Sequence, residues 1–136
     1  MALFSQLGRY TGTGLFIMRV GLGAMMMIVH GFPKLTGGVA TWEKLGYAMG
    51  NLNIHFLPAV WGFLSAITET VGGMFCILGL WFRLVCLFLV INLAVATLSH
   101  FAGGGGIKEA SHAMELGFAF AGLFFLGAGR YSVDKG

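Results

Sequence analysis

Arg19, His30, Ser65, Glu69, Asn92, His100, His112 and Glu115 are the residues of this sequence with chemistry to offer, and each interrupts a run dominated by Leu, Phe, Met, Val, Ala and Gly. An ionisable side chain in such a run costs at least about 2.5 kcal/mol when the run lies in hydrocarbon, so one that persists faces other protein groups and marks a function. His changes charge near neutral pH and a carboxylate accepts protons. Gathered around an apolar slot, the two suit proton-coupled chemistry such as that of a quinone head group. His112 and Glu115 stand three apart and share one helix face. No His-Glu-x-x-His or comparable ligand spacing occurs, so this pair suits proton movement better than a metal. The expected catalytic residues are His100, Glu115 and His112. The expected pocket residues are His30, Arg19, Glu69, Asn92 and Ser65, and no metal is expected.

The elements that must position these residues follow from hydropathy. Hydrophobic residues make up 57% of the chain and charged residues 10%, against about 25% charged in a soluble domain, so a bilayer is the better solvent for most of this surface. A span needs about 20 apolar residues, and four stretches qualify: 13–32, 57–80, 83–102 and 109–129. The expected fold is therefore an all-α membrane protein, a four-helix transmembrane bundle forming a single domain over 1–136. The stretch after Arg9 is too long and lacks a small-residue cleavage site for a secretory signal, so it reads as a retained first span. Pro33 closes that span, and Lys34 marks the water side. Between 35 and 56, Trp42, Leu45, Met49 and Leu52 recur at helical spacing behind a Thr41 cap. That pattern predicts a short interfacial helix, or one packed on the bundle top. Trp81, Phe82 and Arg83 join spans two and three in a tight hairpin.

Counting about 1.5 Å per residue from the end of each span that carries the termini gives two polar layers. His30, His100 and His112 fall at about 25 Å, with Glu115 and Ser65 just below them. Glu69 falls at about 16 Å, Asn92 at about 13 Å and Arg19 at about 9 Å, which leaves Glu69 as the carboxylate in reach of Arg19 and predicts an ion pair. His30, His100, His112 and Glu115 are expected to line one pocket. Arg9, Arg83, Arg130 and Lys135 on one side outnumber Lys34, Lys44 and Lys108 on the other, which favours cytoplasmic termini.

The remaining features exclude more than they add. The net charge of +3 is spread along the chain without a basic face, which excludes nucleic acid. Cys76 and Cys86 lack the Cys-x-x-Cys spacing of a redox pair or zinc site. The Gly103–Gly106 run is followed by no Lys-Ser or Lys-Thr, so it is a turn and not a phosphate loop. Neither a flavin-binding nor a haem motif is present.

The order Arg19, Gly23, His30-Gly31, Lys34-Leu35, Glu69-x-x-Gly72-Gly73, Gly79, Arg83, His100, Glu115 and "GAGRYSVD" resembles the DoxX family of small bacterial membrane proteins. The likeness extends over about 12–134, with Ala128 where family members often carry Pro. It implies a four-helix fold in the bacterial cytoplasmic (inner) membrane, and kinship with DoxD, the membrane subunit of a thiosulfate:quinone oxidoreductase. The family brings no agreed catalytic residues to carry over. Two functions follow. One is a redox-linked subunit that binds a quinone or similar lipophilic molecule in the intramembrane His/Glu pocket. The other is a non-enzymatic scaffold or a small solute or ion conductor. Expected partners are membrane lipids and, for electron transfer, a partner redox protein or subunit; a homo-oligomer is compatible with either function.

Overall fold

The computed structural model describes residues 3–134, and every regular element among them is helical. A 3-10 segment, Ser5–Tyr10, leads into α1 (Thr11–Met25), a π turn (Met26–Gly31) and α2 (Phe32–Thr36). Then come α3 (Gly38–Gly46), a second 3-10 segment (Tyr47–Leu52), α4 (Pro58–Leu78), α5 (Phe82–Ala102) and α6 (Gly106–Leu126). Lys135, counted above among the basic residues of one side, lies outside the described residues.

Among the described residues three rods are long and apolar enough to cross a membrane: Ser5–Thr36, Pro58–Leu78 and Phe82–Ala102. The last of these covers the stretch 83–102 read as the third span and begins one residue earlier, at Phe82. The expected fourth span is only partly matched. Helix α6 has the length, at 21 residues, but Lys108, Glu109, His112 and Glu115 all fall in its first half and dilute its hydropathy.

The first rod runs past its expected end. Proline inside a helix lacks one N–H and crowds the preceding turn. Here Pro33 falls in the opening turn of α2, directly after a π turn whose wider ladder has already broken the regular bonding pattern. The rod therefore continues to Thr36 and carries Lys34 with it.

Small residues set how closely the rods approach. A methyl group on Gly23 would meet the carbonyl oxygen of Gly73 at 2.7 Å, and one on Gly73 would meet that of Gly23 at 2.6 Å. The two backbones thus touch where α1 crosses α4, as close-packed membrane helices do. Helix α3 is held the same way. A Cβ on Gly46 would overlap the Pro58 carbonyl, and one on Gly62 would overlap that of Trp42. Because 42 pairs with 62 and 46 with 58, α3 runs antiparallel along the first turns of α4. Trp42 secures it, its indole donating to the Lys34 carbonyl at 3.0 Å and its ring meeting Phe63 edge-on.

Helix α6 meets the first rod through a side-chain contact of His112 with His30 and packs its length against α5. The core they share includes Leu89, Leu93, Phe120 and Leu123, with Phe82, Val85, Cys76 and Cys86 continuing it toward α4. Phe118 and Phe125 project outward, 72% and 76% exposed, as lipid-facing residues do. After α6 the chain turns back at Gly127 and its tail is tied down along other helix ends. Val133 and Asp134 donate their N–H groups to the carbonyls of Leu78 and Gly79 at 3.0 and 2.9 Å. The Asp134 carboxylate accepts the N–H groups of Trp81 and Phe82 at 2.9 and 2.8 Å, capping α5 from a distant part of the sequence.

Candidate functional site

Two charged side chains are buried, Arg19 at 1% and Glu69 at 3% exposure. They do not pair with each other, contrary to the expectation from depth. The Arg19 guanidinium donates to the backbone carbonyls of Ala128, at 2.7 Å, and Tyr131 in the tail. It also stacks on Phe16, 5.4 Å from the ring centre. Its charge is met by carbonyl dipoles and not by a carboxylate, because the returning tail brings unpaired backbone oxygens to the level of α1.

Glu69 finds its cation in Lys34. The ammonium lies 2.9 Å from Oε1, to which it donates, and 2.9 Å from Oε2. Asn92 on α5 donates to Oε1 at 2.8 Å, and Ser65, one turn before Glu69, donates to the Asn92 carbonyl oxygen at 2.6 Å. Four polar side chains from α2, α4 and α5 are thereby joined. Ser65 and Glu69 share a face because they are four apart. The π turn and the intact rod beyond Pro33 direct Lys34 inward, where sequence reading had placed it in water. Oε2 is buried and lies 2.9 Å from the same ammonium, so Lys34 is held by both carboxylate oxygens.

This network lines a cavity of about 1020 Å³ that runs between α4 and α5 and beneath α3. Its walls are apolar, with Leu64, Ile67, Phe88, Ile91 and Val95 prominent. Trp61 also lines it, and its buried indole N–H has no acceptor among the described residues. His100 and Ser99 reach its far part. A mostly apolar cleft with a few convergent donors suits a lipophilic molecule bearing a carbonyl-type head.

The titratable residues near the other ends of the helices do not share one cavity. His30, on the π turn, meets His112 of α6 with the two Nε2 atoms 3.2 Å apart. One ring must donate and the other accept, so at least one is neutral when the bond is made. His100 opens on the cavity, and Glu115 is exposed, without an ion pair among the described residues. The expected common level was correct for His30 and His112, which touch, but rotation about each helix axis separates the others. Of the expected pocket residues, Ser65, Glu69 and Asn92 line the cavity, while His30 and Arg19 do not. Lys34 and Trp61 were missed.

A family model described as DoxX matches residues 14–102. No protein of described function and no solved structure matches the chain.

Proposed function

The chain belongs to the DoxX family and is a membrane protein of that type; from that premise we propose that it is a redox-linked membrane subunit binding a quinone, or a lipophilic molecule of similar head chemistry, in the cavity between α4 and α5. In this reading α6 is the fourth span of a bundle, its polar first half turned to the headgroup region and its apolar second half in hydrocarbon. The helix α3 covers the cavity from the interface. The membrane is the bacterial cytoplasmic membrane, with both termini inside. The pairing of Lys34 with Glu69 favours that orientation, because among the described residues it leaves Lys44 and Lys108 as the free cations on one side against Arg9, Arg83 and Arg130 on the other.

The observation that carries the proposal is the joining of Lys34, Glu69, Asn92 and Ser65 in the wall of an otherwise apolar cleft. A bound quinone would supply acceptance of electrons and protons. The residues present fit its head: the Lys34 ammonium, the Asn92 amide and the Trp61 indole offer donors, and the apolar walls suit an isoprenoid or alkyl tail. Glu69 holds the ammonium in place and, when that pairing breaks, can take or give a proton. His100, in the same cavity, provides a route for that proton to the surface. The His30–His112 pair and Glu115 lie outside the cleft and would serve proton exchange only from the flank. Electrons would come from a partner redox protein or subunit, since Cys76 and Cys86 are buried.

A scaffold or conductor remains the second reading, favoured by one observation: most polar groups of the network already satisfy one another. Quenching of tryptophan fluorescence by a short-chain quinone in lipid nanodiscs separates the two. Trp61 and Trp81 line the cavity, so saturable quenching that weakens about tenfold in Asn92→Leu, a loss of one buried hydrogen bond, is expected. Quenching that never saturates, or is identical in the variant, defeats the binding reading.

A further inference from the structure

A second cavity, of about 780 Å³, opens at the end of the molecule where the α4–α5 turn meets the tail. It is separate from the cleft described above, apart from sharing Trp81 and Leu84 at its rim. Two guanidinium groups line it, Arg83 from the start of α5 and Arg130 from the tail. Arg83 is anchored on one side by donating to the Phe124 carbonyl at 3.2 Å, leaving its other N–H groups to face outward. Arg130 stacks 4.7 Å from the Tyr131 ring centre and has no hydrogen-bonded acceptor or ion pair among the described residues.

Among the described residues Asp134 is the one carboxylate in this lining, and it accepts the N–H groups of Trp81 and Phe82. It forms no ion pair with either arginine. The opposite wall is apolar and exposed, with Trp81, Leu84 and Leu126 at 63%, 48% and 60%. An indole at a helix end is typical of the water–hydrocarbon boundary. A forked cation at that depth, beside an apolar wall, matches a phosphate oxyanion that carries acyl chains.

We propose that this cavity is a binding site for the head group of an anionic phospholipid, with Arg83 and Arg130 holding the phosphate and Trp81, Leu84 and Leu126 holding the first part of a chain. The shared chemistry is a phosphate anion, and the lipid is the source chosen because the apolar wall has no use for a free ion.

Native mass spectrometry of the full chain, exchanged into detergent with equal amounts of dioleoyl phosphatidylglycerol and dioleoyl phosphatidylcholine, tests this. The parent should retain the anionic phosphatidylglycerol preferentially. Arg130→Gln should lower that retention about fivefold, and Arg83→Gln with Arg130→Gln about 25-fold, from the attraction lost per basic group. Lys108→Gln, which removes a positive charge from the start of α6, should change nothing. Should the double variant lose helix content through its lost tie to Phe124, Arg130→Gln alone decides. Equal retention of the two lipids overturns the proposal, as does an equal loss in Lys108→Gln. Displacement of the retained lipid by a matched concentration of inorganic phosphate would also overturn it, by showing a site that reads the anion without its chains.

Discussion

Arg19 and Glu69 are buried to nearly the same degree, yet the protein has solved the burial of charge in opposite ways at the two places. Around Arg19 the partners are fixed: backbone carbonyls of the tail accept from its two terminal nitrogens and the Phe16 ring covers it, Nε alone has no acceptor among the described residues, and the side chain lines neither cavity. Around Glu69 the solution is open: the counter-ion comes from a lysine that is itself 31% exposed, and the pair looks into a cleft. A charge held by backbone dipoles has no second state to move to. A carboxylate shared between a mobile ammonium and an amide can lose one partner and gain another. Burial alone therefore does not identify a site, and the kind of partner does.

The comparison breaks most visibly at Arg19. Arg19→Leu should cost about 3–5 kcal/mol, because two charge-assisted bonds vanish and the carbonyls of Ala128 and Tyr131 are left without a donor. A fall of many degrees in the detergent melting temperature is the expected reading, and a change within error would show the tail is held by other means. Quinone quenching in whatever folded fraction survives should be unchanged.

At Glu69 the expected loss is smaller, about 2–3 kcal/mol for Glu69→Gln, since Lys34 can turn toward water when its partner goes. A double-mutant cycle sharpens the contrast. Lys34→Met and Glu69→Gln should couple by about 1 kcal/mol or more, whereas Arg19→Leu and Glu69→Gln should add to within about 0.5 kcal/mol. Additivity in the first cycle would mean that the ion pair does not form in the membrane.

The tail offers an intermediate case. Asp134→Ala removes both caps from α5 and should cost about 1–2 kcal/mol, with Asp134→Asn recovering part of it through its remaining carbonyl oxygen. Equal losses in the two variants would point to the charge and not to the cap. Smallest is His112→Phe, which breaks one half-exposed bond to His30 and should cost about 0.5–1 kcal/mol by thermal melting. A large effect there would make the His pair the main tie between the π turn and α6.

How much of this was legible in the sequence varied with the kind of signal. Hydropathy placed the last three long helices to within three residues and the first rod less closely, because an apolar run of that length has few other uses but says little about where a helix runs on beyond it. Ser65, Glu69 and Asn92 were recognisable as polar residues stranded in such runs, and they converge. Depth along an axis could be counted, but rotation about it could not, so four residues at similar heights were read as one pocket when only His30 and His112 meet. Lys34 was lost to a sound rule applied where an upstream irregularity suspends it, since Pro33 ends most helices. Arg19 was assigned a carboxylate because carbonyl partners are supplied by the tail, and nothing local in "GAGRYSVD" announces that it folds back onto α1. Asp134 could have been suspected: an acidic residue in a tail has a natural partner in a helix start that lacks a side-chain cap of its own, as α5 does.

The π turn gives the first rod a phase as well as a length. Each residue of an α-helix advances the side chain by about 100°, and a π turn amounts to one residue more than the regular ladder can hold. Loss of a single methionine from Met25–Met27 would let the ladder close as regular α-helix and leave everything after it in phase, with His30 still against His112 and Lys34 still against Glu69. Wound as regular α-helix, the same full sequence would instead advance everything after the turn by about 100° and carry both side chains off their partners. The two contacts thus rest on one irregularity that absorbs a single residue.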